Sequence, residues 1–248
     1  MRMVLLGGAV LAAFAAGPAG AADLPVRGPV YKSPPPVIYN WTGFYGGVNV
    51  GYSWGQHTNE WTVNPAFFTV TESQNMNGIV GGVTWGYNWQ IGNWVIGTES
   101  DFNGSAQSGN TTYCVTAGCG TTALADHKLP WFGTSRTRLG FLPSQYVLLY
   151  ATGGLAYGQV KSDYSLFTGG IGVASLSFKD IRAGYTVGGG IEGAFGGGWS
   201  AKLEYLWVDF GKNTETATLG GVVISNFNSR VTDNIVRIGL NYKLGGAY

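Results

Sequence analysis

The sequence predicts an all-β chain, an eight-stranded antiparallel up-and-down transmembrane β-barrel with four long extracellular loops. Three observations carry that expectation. Apolar and polar residues alternate with period two from Trp41 onward, short and long connections between the alternating runs follow one another strictly, and paired charges within a run share one parity. Composition agrees. The 248 residues include 42 glycines, only 11% charged residues and 14% aromatics, against roughly 25% charged residues in ordinary soluble domains. Charge so sparse covers a wetted surface poorly. A net charge of +1 excludes a nucleic-acid binder, the aromatic content excludes a disordered chain, and two cysteines exclude a disulfide scaffold.

The first element is not part of the fold. Arg2 precedes an apolar stretch from Val4 to Ala16 and then small residues through Ala22, the pattern of a secretory signal peptide over 1–22, with cleavage after Ala21 or Ala22. Its apolar run is too short to span a bilayer. Residues 23–40 hold Pro25, Pro29 and Pro34-Pro35-Pro36, and read as an extended periplasmic linker. The barrel domain is expected over 41–248.

Within it, eight strands are predicted at about 42–54, 77–89, 94–102, 131–141, 147–157, 181–195, 199–208 and 235–244. Short turns at 90–93, 142–145 and 196–198 join three pairs, whereas the other connections run to roughly twenty residues or more. Tight periplasmic turns, long outer loops and an even strand count belong to outer-membrane barrels, and place both termini in the periplasm.

The charges assign the faces. Glu99 with Asp101, Arg136 with Arg138, Arg182 with Glu192, Lys202 with Glu204, and Arg237 with Lys243 each share a parity, and apolar residues hold the opposite one. A soluble sandwich or lipocalin would turn that polar face outward. Glycines argue against this inversion. Gly47, Gly51, Gly78, Gly82, Gly86, Gly184, Gly188 and Gly190 crowd the charged parity, as a narrow lumen requires, while Trp85, Trp89, Trp199 and Trp207 stand on the roomy side. Aromatics cluster at the strand ends. Trp89, Trp94, Phe141, Phe195 and Trp199 mark one girdle and Trp54, Trp131 and Trp207 the other, at headgroup depth.

WTGFYGGVNVGY at 41–52, GGVTWGYNWQ at 81–90, WFGTSRTRLGF at 131–141, LLYATGGLAYG at 148–158 and VRIGLNYKL at 236–244 together resemble the small outer-membrane surface antigens, or outer-membrane immunogenic proteins, of Gram-negative bacteria. These fall within the larger group typified by the transmembrane domain of outer membrane protein A. The resemblance covers essentially the whole mature chain. It implies residence in the outer membrane among lipid and lipopolysaccharide, surface antigenicity and a contribution to envelope integrity. Weak pore formation and haemin binding, known among such proteins, are the main alternatives. The last string looks like the signal read by the barrel-assembly machinery, with Arg237, Gly239, Tyr242 and Leu244. Family members usually stop on an aromatic at that strand's end, whereas this chain continues to Tyr248.

Candidate sites follow. Glu99, Asp101, Arg136, Arg138, Arg182, Glu192, Lys202, Glu204 and Arg237 are expected to meet as ion pairs that plug the lumen, since an eight-stranded barrel is only wide enough for its own side chains. A charged eyelet for small solutes is the other reading. Cys114 and Cys119 are expected to form a disulfide at a loop tip, metal binding lacking further ligands apart from His127. His57 and His127 fall in predicted surface loops near Glu60 and Asp126. They suggest a solvated pair, and only secondarily a hydrolase rim or haemin axial ligands. GGGIEG at 188–193 matches a dinucleotide fingerprint by letters, but a strand follows it where a helix is required. No enzyme activity, cofactor or nucleic-acid partner is expected.

Overall fold

The computed structural model describes residues 39–63, 68–114, 117–219 and 222–245. The signal peptide, the linker up to residue 38 and the tail 246–248 lie outside the described residues. Eight strands form one closed antiparallel barrel in sequence order: β1 Gly43–Val63, β2 Phe68–Ile91, β3 Trp94–Cys114, β4 Thr121–Ser144, β5 Val147–Thr168, β6 Ile171–Gly196, β7 Trp199–Leu219 and β8 Val222–Leu244. β8 closes the ring on β1, with Arg237 opposite Gly51 and Leu244 opposite Phe44. β8 ends at Leu244, and Gly245 takes a positive φ of 72°, which glycine adopts without strain.

The three short turns stand where the sequence places them. The long connections do not behave as loops. The strands are 21 to 26 residues long, whereas about 9–11 tilted residues cross a bilayer. Each expected long loop is instead mostly a continuation of two strands, with β1 running to Val63 and β2 starting at Phe68, β3 to Cys114 and β4 from Thr121, β5 to Thr168 and β6 from Ile171, and β7 to Leu219 and β8 from Val222. The physical reason lies in composition. Segments such as Thr111-Thr112-Tyr113 and Val222-Val223-Ile224 are β-branched or aromatic, low in charge and free of proline, so pairing continues past the membrane. Cys114 and Cys119 are bonded across the short turn Ala117–Cys119 at the β3–β4 tip.

The girdle residues named above all lie on the outer wall, and several pair across strands, Phe102 on Trp131 at 5.5 Å and Trp94 on Phe141 at 5.4 Å. Between the girdles the wall is Val48, Val50, Val83, Leu139, Leu203, Ile238 and similar exposed apolar side chains. Leu203 is 51% exposed there and Val173, near the β5–β6 tip, 55%. Depth distinguishes them. Leu203→Arg should cost about 2–4 kcal/mol and reduce the heat-modifiable folded fraction on gels, while Val173→Arg, equally exposed but in water, should fold like the parent. Equal folding of both variants contradicts the placement of the hydrocarbon belt.

Candidate functional site

The strand registers bring the lumen charges together. Glu99 lies opposite Arg136 on the β3–β4 pair, Glu204 opposite Arg237 on β7–β8, and Glu192 opposite Lys202 on β6–β7. Arg136 donates from Nη2 to Glu99 Oε1 at 2.6 Å and to Asp101 Oδ2 at 2.9 Å, and from Nη1 to Glu204 Oε1 at 2.8 Å. Lys202 Nζ reaches both oxygens of Glu99 at 2.8 Å. β3 and β7 face each other in an eight-stranded ring, so this contact crosses the whole lumen. Arg237 bridges Asp101 and Glu204, and Arg138 holds Glu192 at 2.6 Å. Four carboxylates, Glu99, Asp101, Glu192 and Glu204, thus meet four cations, Arg136, Arg138, Lys202 and Arg237, and every one of these residues is buried.

Two tyrosines complete this band. Tyr45 Oη donates to Glu99 Oε2 at 2.9 Å while accepting from Arg138 Nη1, and Tyr150 Oη donates to Glu204 Oε1 at 3.1 Å beneath the Arg138 guanidinium. Gly86 and Gly190 make room for them. A Cβ on Gly86 would stand 2.5 Å from Tyr45 Oη, and one on Gly190 2.8 Å from Tyr150 Oη.

Arg182 is the member that does not join. It shares the parity of Glu192 but stands ten residues further out along β6, where it donates to Ser229 Oγ at 3.0 Å and lies 3.9 Å from Asp180. Parity fixes the face and leaves the height open.

Above and below the charged band apolar clusters fill the lumen together with buried polar side chains such as Asn88 and Asn103. At the periplasmic mouth Trp41 packs with Val95, Leu142, Leu148 and Ala194, its Nε1 donating to the carbonyl of Gln145 at 3.1 Å. On the outer side Met76, Val80, Leu129, Phe132, Leu206, Phe210 and Ile235 form a second plug. Beside it, Asp233 accepts from Ser53 and from Gln107 Nε2.

The histidines are the clear correction. They were expected in solvated loops, yet His57 and His127 are each 1% exposed inside the outer barrel, His57 because β1 continues with the inward parity of Tyr45 and Ser53, His127 because a shift in pairing between Lys128 and Trp131 exchanges the inward and outward parities of β4. Their rings meet at 4.2 Å, and each is bonded to a serine, His57 Nε2 to Ser229 Oγ at 2.6 Å and His127 Nδ1 to Ser162 Oγ at 2.8 Å. Both lie beyond the outer girdle. Burial, with the neighbouring His127 and Arg182 charges, lowers His57 to about 3, and burial with Arg182 lowers His127 to about 4 against the pull of Asp126.

Two predictions arise here. Arg136→Met strands Glu99, Asp101 and Glu204 and should cost about 3–5 kcal/mol, read as a lower urea midpoint in detergent, whereas Lys128→Met, which removes a water-exposed partner of Asp126, should leave it unchanged. Similar midpoints for both variants contradict the network's role. The second concerns pH. Folding favours neutral imidazoles, so their contribution is full above about pH 6.5 and drains as the pH falls toward the folded values. Asp233, raised to about 6 by burial, acts in the opposite sense, gaining as the pH falls through that value. Comparison with the His57→Gln/His127→Gln double variant isolates the histidines. Between about pH 7.5 and 4.5 the parent should lose more stability than the variant, and identical pH profiles contradict buried neutral imidazoles.

A family model described as outer membrane protein beta-barrel domain matches residues 9–243. The chain is 39% identical to the 31 kDa outer-membrane immunogenic protein of Brucella melitensis biotype 1, over 98% of this chain and 100% of that one. It is 28% identical to the 22 kDa outer membrane protein of Rhizobium leguminosarum bv. viciae, over 62% of this chain and 61% of the relative. Among solved structures it is similar to the outer membrane protein OprG from Pseudomonas aeruginosa, with TM-score 0.47 and 10% identity over 82% of this chain and 98% of that one. With a closed eight-stranded barrel, an apolar outer wall and a family match over most of its length, the chain belongs to the outer membrane protein beta-barrel family and resides in the bacterial outer membrane.

Proposed function

We propose that this chain is a structural outer-membrane barrel that displays its outer hairpins at the cell surface, contributes to envelope integrity and surface interaction, and carries no solute and no catalysis. The observation that supports this reading is the cross-lumen ion pairing, above all Lys202 with Glu99 and Arg136 with Glu204. An open eyelet lines its walls with charges and leaves a wet axis. Here the charges of opposite walls touch, and apolar layers stand on both sides. The name of the Brucella relatives supports surface antigenicity of the hairpins.

Haemin ligation by the two histidines fits poorly, since rings in contact at 4.2 Å leave no space for a porphyrin between them. A hydrolase fits poorly as well. A serine-histidine pair works with a third group that orients the base, and the buried Nδ1 of His57 has no hydrogen-bond partner among the described residues. In this reading outer-membrane lipid and lipopolysaccharide solvate the wall, and the assembly machinery reads the end of β8. Arg237 there faces the lumen, and Tyr242 packs against Trp199 at 4.9 Å.

Purified protein in planar bilayers should give no steady single-channel current, and charge-neutralising variants such as Lys202→Met should introduce none unless folding is lost. A large, stable unitary conductance from the parent overturns the closed-lumen reading in favour of a porin.

A further inference from the structure

The outer end of the lumen is built in a way that a merely closed barrel does not require. His57 on β1 lies opposite Gln74 on β2, and both side chains are buried. His127 on β4 reaches the same place, its ring against that of His57 at 76°. Gly109, the register partner of His127, has no side chain, and a Cβ there would stand 3.3 Å from Gln74 Nε2, so the amide lies along the strand neighbouring His127. Three buried polar atoms at this level have no hydrogen-bond partner among the described residues: His57 Nδ1, Gln74 Oε1 and Gln74 Nε2. Each such atom costs about 1–3 kcal/mol if left unpaired. The cluster calls for an occupant.

We propose that His57, His127 and Gln74 form a binding site for one divalent transition-metal ion, of the borderline-soft class to which zinc belongs. Each imidazole already has one nitrogen held by a serine hydroxyl on a neighbouring strand, Ser229 for His57 and Ser162 for His127. That is the outer-shell arrangement that fixes the tautomer of a metal-bound histidine and turns its other nitrogen toward the ion. With Nε2–H of His57 donating to Ser229, the lone pair sits on the unpartnered Nδ1. Gln74 Oε1 supplies a third, oxygen donor, and a water completes a tetrahedral set. Two imidazoles on one tetrahedral ion have ring centres roughly 5 Å apart, given metal–nitrogen bonds of about 2.0–2.1 Å, so the observed 4.2 Å contact opens by about 1 Å on loading. The apolar plug lies on the periplasmic side of the site, so the ion arrives from outside the cell.

One neighbour opposes the ion. Arg182 bonds to Ser229 Oγ at 3.0 Å, and its charge acts on both imidazoles. A cation site beside a fixed guanidinium binds more weakly than the same donors alone, and this gives the proposal a sign that a chance pair of histidines does not share.

The test uses the full mature chain without an affinity tag, folded in detergent, with zinc alone as the titrant and cobalt absorbance as the reporter of tetrahedral nitrogen ligation. The chain has only 2 histidines, so any histidine-dependent uptake belongs to this place. One ion per chain is expected. His57→Gln and His127→Gln should each weaken zinc binding at least about tenfold, Ser229→Ala about tenfold, and Arg182→Gln should tighten it severalfold. Heat-modifiable migration checks the folding of every variant. No uptake up to about 1 mM zinc, or uptake unchanged in both histidine variants, overturns the site and leaves the orphaned atoms to water. If the histidine variants fail to fold, Arg182→Gln decides: tighter binding upholds the site, and unchanged or weaker binding refutes it.

Discussion

Hydrocarbon offers no hydrogen-bond partner to a peptide group, so a sheet that crosses it has to close on itself. The pairing of β8 with β1 meets that demand, and the remaining organisation follows from it. Closure with eight strands sets a lumen that side chains must fill. Closure also makes every residue of a strand face either lipid or lumen, with parity holding between the irregularities in the pairing. The outer wall between the girdles is accordingly free of charge, and the ionised groups of that height are all inside.

Filling the lumen with charge carries its own constraint. Desolvating an ion is expensive, and a buried pair recovers the cost only when the geometry is good and the remaining donors and acceptors are met. Here the geometry is distributed. Arg136 serves three carboxylates, Glu99 receives two arginines and a lysine, and Tyr45 and Tyr150 take up further bonds. Four opposite charges on each side leave the band neutral. The apolar clusters on either side lower the local dielectric and so strengthen each pair. The contacts between strands that are far apart in sequence also tie opposite walls of the barrel together, which backbone pairing between neighbours cannot do.

Much of this is legible in the chain. The shared parity of Glu99 with Asp101 and of Lys202 with Glu204 is enough to assign the inner face, and the glycines on that parity are enough to say that the inner face is crowded. Height is what parity lacks, and the misplacement of Arg182 follows from that alone. The tyrosines were hidden for a different reason. Leu148 and Tyr150 disturb the alternation of β5, and they do so because they face inward with the charges, Leu148 in the periplasmic cap and Tyr150 on Glu204. Reading the outer segments as loops also concealed the histidines, since a loop residue has no face. Continuing the period of Tyr45 and Ser53 along β1 turns His57 inward, whereas His127 is turned inward by the shift in pairing between Lys128 and Trp131, which a period-two reading does not contain.

The same strands also record where the membrane ends. On β7 the inward parity runs Lys202 and Glu204, then Leu206 and Val208, all buried. On the outer wall the order is reversed. Leu203 and Tyr205 face lipid, whereas beyond the girdle Lys128, Asp126 and Arg230 stand outward, the first two paired in contact with water. The pairing shifts at that height, between Gly104 and Gln107, Lys128 and Trp131, and Asp209 and Lys212, and on β4 the shift turns Lys128 and Asp126 outward. The solvent outside changes there too. Hydrocarbon repels charge and drives it into the lumen, while water accepts charge and leaves apolar side chains to fill the interior as they do in any soluble protein. The change on the outer wall therefore falls at the outer girdle, near Trp54, Trp131 and Trp207, while the outer interior keeps His57, His127 and Gln74 as a polar cluster among its apolar side chains. The histidine cluster lies in the half whose surroundings are aqueous, which is where a polar pocket can exchange its contents with the exterior.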